Sequence, residues 1–234
     1  MSRELRRERL RDARLYLLFT PDSCAPRDPL DVLASVLDWV DVVQVRPKAP
    51  DRGLDPRGGA RELVQTHARE LFDWCRRVLE LVNARERRPL VLANDRVDVA
   101  RSLLDAGLAG VHLGQEDCPV DLARSVLGDD ALIGRSTHSH AQVVEAGELA
   151  LDYLGFGPVF ATATKGYARG LGAEAAWIAQ QATPLPIFPI GGIGLSNAVE
   201  LAEVGRAAVS SAILGAEDAA RAARELRQML EPGD

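Results

Sequence analysis

The sequence predicts an α/β protein built as a single (β/α)8 barrel, and three observations carry that expectation. Short apolar runs ending in polar residues recur eight times, segments with apolar residues at helical spacing separate them, and no shift in composition marks a boundary between domains. Alternation of this kind with short connections makes a parallel sheet. Eight such units in 234 residues favour closure of the sheet on itself over an open sheet that binds its ligand at a switch point. Residues 1–14, mostly Arg and Glu, read as a charged arm or short helix lying across one end, and residues 15–234 as the barrel.

Taken in order, residues 15–20 (LYLLFT) give the first strand, closed by Pro21 and Asp22. Leu30, Leu33, Val36 and Leu37 follow at helical spacing, and residues 41–45 give the second strand. Residues 50–59, rich in Pro, Gly, Asp and Arg, form a loop. A long helix comes next, with Leu63, Val64, His67, Leu71, Trp74, Val78 and Leu81 on one face, where His67 and Trp74 are packing residues. Residues 91–117 hold the most regular unit. A strand ends on Asn94, Asp95 and Arg96, a helix carries Val97, Ala100, Leu103 and Leu104, and a second strand ends on Gln115, Glu116 and Asp117. Pro119 starts a helix. Strands at 132–134, 153–160, 186–190 and 207–213 alternate with helices around 143–149, at 197–202 and at 218–230.

Composition narrows the class of function. With 47% hydrophobic residues the chain can bury a large core, and its net charge of −6 argues against a generic nucleic-acid surface. No apolar run approaches the ~20 residues that span a bilayer, and the N-terminus lacks the apolar core of a signal peptide. Cys24, Cys75 and Cys118 form no CxxC pair and read as thiols of a reducing compartment. A cytoplasmic protein with no membrane partner is expected, and a homo-oligomer is left open.

In a barrel all the polar strand ends gather on one rim, where the active sites of this fold lie. Asp95 and Asp117 end strands that lie about 4.8 Å apart if adjacent, close enough to share a divalent ion. Mg²⁺ takes one or two protein carboxylates plus substrate phosphates. Asp95 alone reads equally as a cap of the following helix, but two such strand ends in consecutive units favour a site. Gln44, Arg46 and Lys48 share a parity and face one cavity if the second strand persists that far. Residues 190–194 (IGGIG) and 209–212 (VSSA) occupy the loops after the seventh and eighth strands, where such barrels often hold a phosphate on backbone N–H groups. Thr162, Thr164 and Lys165 suit an anionic leaving group, against the reading of a Thr-rich turn with a solvated Lys.

QVRPK at 44–48, NDRVDVA at 94–100, GVHLGQED at 110–117, GRSTH at 134–138, DYLGFGPVFATATK at 152–165 and PIGGI at 189–193 together resemble the thiamine-phosphate synthase family. They stand in that family's order and cover nearly the whole chain from Leu15. The resemblance implies a (β/α)8 enzyme that joins two small molecules, a hydroxymethylpyrimidine diphosphate and a thiazole phosphate, with Mg²⁺ as cofactor and release of pyrophosphate. It implies Asp95 and Asp117 as metal ligands, and Gln44, Arg46, Lys48, Asn94 and Lys165 as partners of the pyrimidine diphosphate, with Ser136 near the leaving group. Thr162 and Thr164 would meet the thiazole, and Gly192 with the backbone of Ser210 and Ser211 its phosphate. Lys165, Ser136 and Arg46 are the catalytic candidates.

Pro47 stands where the family commonly has an acidic residue, Ala161 where it has Pro, and Arg135 where a small apolar residue is frequent, and residues 166–172 read as a lid-like loop. Three rivals remain: a thiazole tautomerase using His138 as a proton shuttle, a Schiff-base aldolase using Lys165, and a catalytically silent barrel that senses intermediates. The two acids and their basic neighbours have no use in the tautomerase and make too ionic a pocket for the aldolase.

Overall fold

The computed structural model describes residues 2–48, 60–161 and 170–231, with side chains excepted at 3 and 60–66. Eight strands, β1 (Leu15–Phe19), β2 (Val42–Val45), β3 (Leu90–Asn94), β4 (Gly110–Leu113), β5 (Leu132–Thr137), β6 (Tyr153–Phe156), β7 (Ile187–Pro189) and β8 (Ala207–Val209), form one sheet. Each pairs with its neighbour in sequence, β8 returns to β1, and every ladder is parallel. A bridge between Ile190 and Ala208 joins the remaining two edges. The sheet is a (β/α)8 barrel, as the alternation predicts. Its strands read as nearly continuous apolar runs because helices cover the outer face while side chains fill the inner one.

The helices are α1 (Arg3–Asp12), α2 (Pro29–Val36), α3 (Ala60–Asn83), α4 (Val97–Leu103), α5 (Val120–Leu127), α6 (His140–Ala146), α7 (Ala173–Gln181), α8 (Ser211–Leu214) and α9 (Ala219–Met229). The alternating pleat divides the buried residues into two clusters. One, outside the sheet, joins strand residues such as Leu17, Val43 and Val91 to Leu33, Leu71, Ala100 and Leu226 of the helices. The other fills the barrel with Tyr16, Leu18, Leu92, Leu132, Tyr153 and Phe188, together with Leu10 and Ala13 from the start of the chain. The charged segment is thus a helix whose Leu10, with Ala13 just past its end, stops the N-terminal mouth. Arg6 donates to the Asp130 carbonyl at 2.8 Å, and Arg7 to the buried Asp152 carboxylate at 2.5 Å.

β2 ends at Val45, as the apolar run predicts, with the Arg46 N–H donating to Phe19 O at 2.8 Å as a last link; Pro47 has no N–H to continue the ladder, so the strand does not persist to Lys48. Other boundaries differ from the periodic reading, each for a backbone reason. β6 stops at Phe156, before Gly157 and Pro158, and β8 stops at Val209, where the chain turns into α8. Residues 198–201 form a 3-10 turn instead of an α-helix, set by Asn197, whose Oδ1 accepts from Gly194 N and whose Nδ2 donates to Gly192 O, both at 2.9 Å. β5 runs on to Thr137, which carries Ser136 onto the rim.

Strand register brings the inward polar residues together. Gln44 lies beside Leu18 and Leu92, Asn94 beside His112, His112 beside Gly134, and Ser136 beside Gly155. Gly134 is a packing requirement, since a Cβ there would lie 2.0 Å from Cζ of Tyr153. Its missing side chain lets the tyrosine ring fill the barrel.

Candidate active site

The C-terminal rim holds a cleft with two lobes that share Leu18, Arg46, Ser136, His138, Gly155, Ile190 and Ala208. The first lobe, about 360 Å³, is polar and lies over β2 to β5. The second, about 430 Å³, lies over β7 and β8. Gln44, 2% exposed, donates through Nε2 to Asn94 Oδ1 at 2.5 Å and accepts from the Tyr16 hydroxyl at 2.9 Å. Asn94 donates to Asp95 Oδ2 at 2.6 Å. On the far side of the lobe, His112 Nε2 lies 2.9 Å from Ser136 Oγ and Nδ1 lies 2.9 Å from the Tyr153 hydroxyl. The two tyrosines meet at 3.0 Å, and burial raises both phenols well above the usual tyrosine range.

Asp95 and Asp117 face each other as the strand ends suggested. Burial, then the neighbouring Asp117, push the Asp95 carboxyl up to about 7, while Arg46 and the Asn94 amide pull it back. Two carboxylates brought together out of water repel, and a cation between them relieves the repulsion. Asp95 also has φ of 60°, a left-handed conformation that costs a non-glycine residue roughly 1–3 kcal/mol and clusters at functional sites. Its N–H donates to His112 O at 2.8 Å, which ties β3 to β4. Asp117 is held by Gly114 N–H at 2.6 Å. Among the described residues no group of three or more His, Cys, Asp or Glu could cage a metal. Two carboxylates suit a hard ion such as Mg²⁺ that completes its shell with water and phosphate oxygens.

The second lobe is lined by Gly191, Gly192, Gly194, Ser210 and Ser211. Gly191 and Gly192 have φ of 99° and 67°, and a Cβ on Gly192 would lie 2.4 Å from Ala161 O. This tight, glycine-only turn exposes backbone to the cleft. The Ser210 hydroxyl is spent on Leu18 O at 2.9 Å, so what it offers a ligand is backbone. His138 lines both lobes, with Nδ1 donating to Gly157 O at 2.6 Å. Arg135 turns to Gln115, bonding its O and Oε1 at 3.4 and 3.3 Å, and so steadies the loop that carries Asp117.

Gln44, Arg46, Asn94, Asp95, Asp117, Ser136, Gly192, Ser210 and Ser211 therefore converge on one cleft. Lys48 does not join them. It is exposed and lines neither lobe, because the strand that would have turned it inward ends before Pro47. Thr162, Thr164 and Lys165 lie outside the described residues. Tyr16, His112, Tyr153 and Phe188 also line the polar lobe and were missed as site residues. Their signal was available in the alternation, for His112 has the inward parity of Gly110 and Gly114 in a strand fit for burial.

A family model described as thiamine monophosphate synthase matches residues 15–213. The chain belongs to the thiamine monophosphate synthase family. A thiamine-phosphate synthase of Synechococcus sp. (strain CC9605) is 42% identical over 229 residues, 97% of this chain and 58% of the relative. One of Anaeromyxobacter dehalogenans (strain 2CP-C) is 39% identical over 186 residues, 75% of this chain and 80% of the relative. The solved thiamine phosphate pyrophosphorylase of Pyrococcus furiosus superposes with a TM-score of 0.74 at 30% identity, covering 96% of each chain. This thiamine monophosphate synthase family chain spans about 58–60% of the length of the first relatives it matches. A tryptophan synthase alpha chain from Legionella pneumophila, TM-score 0.69 at 15% identity, shares the fold alone.

Proposed function

We propose that the chain catalyses thiamine phosphate synthesis. It would couple 4-amino-2-methyl-5-hydroxymethylpyrimidine diphosphate to a thiazole phosphate, with Mg²⁺ and release of pyrophosphate. The observation that carries this reading is the pairing of two anion-handling sites on one rim, the Asp95–Asp117 pair beside Arg46 and the glycine-rich turn over β7 and β8. A reaction that joins a diphosphate ester to a phosphorylated nucleophile needs both, with the reacting atoms between them.

The ester C–O bond breaks with its electron pair leaving on the diphosphate, and the electron-rich aminopyrimidine supports the positive charge left on the exocyclic methylene carbon. The thiazole nitrogen then gives its lone pair to that carbon. This nitrogen carries no proton, so no general base is required. Asp95 and Asp117 would hold Mg²⁺, which would supply charge neutralisation for the departing diphosphate. Arg46 touches both lobes and is suited to pair with that anion, while Gln44 and Asn94 orient the pyrimidine end through fixed hydrogen bonds. Lys165 is assigned to the diphosphate, and Thr162 and Thr164 to the thiazole. Gly192 and the backbone at Ser210 and Ser211 take the thiazole phosphate. Most of the catalytic work is thus positional and electrostatic. No described helix is long and apolar enough to cross a membrane and the three cysteines are unpaired, which accords with a cytoplasmic location.

The test is a coupling assay with both substrates that follows thiamine phosphate and pyrophosphate with and without Mg²⁺. Mg²⁺-dependent formation of both is expected, and Asp117→Ala should lower turnover roughly 10²- to 10³-fold, the scale for one lost electrostatic stabiliser. Undiminished turnover in that variant at saturating Mg²⁺ would remove the metal assignment, and absence of product from the wild-type protein would remove the activity.

A further inference from the structure

We propose that the buried side chains of the polar lobe form a hydrogen-bond chain with one direction, running from Ser136 to Asp95. This chain fixes the tautomer of His112 and leaves Ser136 to accept a hydrogen bond from the bound heterocycle. The assignment to the heterocycle rests on the function proposed above, whereas the direction of the chain does not.

The direction follows from counting protons, starting at the amides. The NH₂ of Asn94 lies 2.6 Å from Asp95 Oδ2 and donates to it. Asn94 then presents Oδ1 to Gln44, which answers with its own NH₂ at 2.5 Å. That leaves Gln44 Oε1 to accept the Tyr16 proton at 2.9 Å. A phenol has one proton, and with it spent Tyr16 can only accept at its 3.0 Å contact with Tyr153. Tyr153 has in turn spent its proton, so the His112 Nδ1 2.9 Å away carries one. A neutral imidazole holds a single N–H, which makes Nε2 a bare acceptor. Ser136, 2.9 Å from it, therefore donates. Reversing any link between Asp95 and His112 Nδ1 sets two donors or two acceptors face to face inside a site where unmatched polar groups are costly. Burial keeps both phenols protonated, so neither breaks the sequence.

Ser136 lines the cleft with its proton turned away toward His112, and what remains for a ligand is a pair of lone pairs. An anionic phosphate oxygen finds no donor there. An N–H does find an acceptor, and the exocyclic amino group of the aminopyrimidine is such a donor. Ser136 is thereby assigned to the ring in place of the diphosphate, and His112 becomes a positioning residue that acts through it.

Ring ¹⁵N chemical shifts of His112 in the ligand-free protein test the direction. A neutral ring protonated on Nδ1 is expected, and a proton on Nε2, or on both nitrogens, overturns the proposal. Tyr16→Phe, two links away, removes the acceptor of the Tyr153 proton and frees it to turn toward His112, so the imidazole proton should move to Nε2. An unchanged tautomer in that variant also overturns it, and should the variant fail to fold, the wild-type shifts decide alone. For the ligand, Ser136→Ala should weaken the aminopyrimidine diphosphate by about 2- to 10-fold, the scale of one hydrogen bond. It should not weaken an analogue in which methyl replaces the amino group. Equal weakening of both would return Ser136 to the diphosphate and defeat the assignment. Failure of the wild-type protein to bind the parent compound would defeat the proposed function, while the shifts of the ligand-free protein still decide the chain.

Discussion

Asp95 concentrates three costs in one residue: a left-handed backbone, partial burial and a second carboxylate in front of it. A carboxyl whose native pKa is raised binds its proton more tightly folded than unfolded. It therefore favours the fold at low pH, and that advantage is lost as pH rises from the ordinary Asp value near 4 toward about 7. Above that range the ionised pair opposes folding until a cation is bound. In metal-free protein, Asp95→Asn should then raise the melting temperature relative to wild type at pH 8 by more than it does at pH 4. Mg²⁺ should raise the wild-type melting temperature at pH 8 and raise that of the variant much less. Melting curves at the two pH values with and without Mg²⁺ check this, and an Asn effect independent of pH would count against the repulsion. The residues that the sequence made legible as a site were those whose chemistry contradicted their surroundings. Gln44 in the middle of VVQV and two acids at successive strand ends have no reason to exist in a packing role. His112 and the two tyrosines passed unnoticed because an aromatic side chain in an apolar strand satisfies packing equally well, and only register shows their polar atoms meeting.

At the scale of elements, periodicity located all eight strands, and it failed where one residue's backbone chemistry overruled the apolar run. Pro158 ended β6 four residues early relative to its apolar stretch. The turn into α8 similarly cut β8 short at Val209. Hydropathy averages over such positions and cannot register a missing N–H. The same limit applies to Gly134, which reads as a neutral residue in LIGRST yet determines how β5 and β6 fit. Gly134→Ala would drive a methyl into the Tyr153 ring, 2.0 Å from its nearest atom, and the ring cannot yield because it packs edge-on against Phe188 at 5.8 Å. Overpacking of this sort costs typically 1–3 kcal/mol and sometimes more. Urea denaturation should show a loss of at least about 1 kcal/mol, with a matching loss of substrate affinity because Tyr153 also supports His112. Wild-type stability in this variant would mean that the barrel interior has slack.

For the whole molecule, the two mouths of the barrel have separate tasks. The C-terminal rim gathers charge, strain and polar side chains, while the N-terminal mouth is closed by α1, with Leu10 fully buried among strand residues and Arg6 and Arg7 bonded across to the segments that enter β5 and β6. The buried Asp152 carboxylate is shared there by Arg7 at 2.5 Å, Arg124 at 2.8 Å and the Ile133 N–H at 2.8 Å. That joins α1, α5 and the sheet. Stability invested at this end can change without moving the reacting groups, because the middle layer of Tyr16, Leu92, Tyr153 and Phe188 lies between. Leu10→Ala leaves a cavity that the surrounding strands cannot collapse to fill, and it should cost about 2–5 kcal/mol. Turnover and KM measured well below the melting temperature should stay within about twofold of wild type, since no step of the chemistry reaches that mouth. Chemical denaturation and steady-state kinetics on the same preparation separate the two effects. A variant equally stable to wild type would show that α1 only rests on the barrel, and one that is destabilised and also raises KM would show that the plug and the cleft are mechanically coupled through the tyrosine layer.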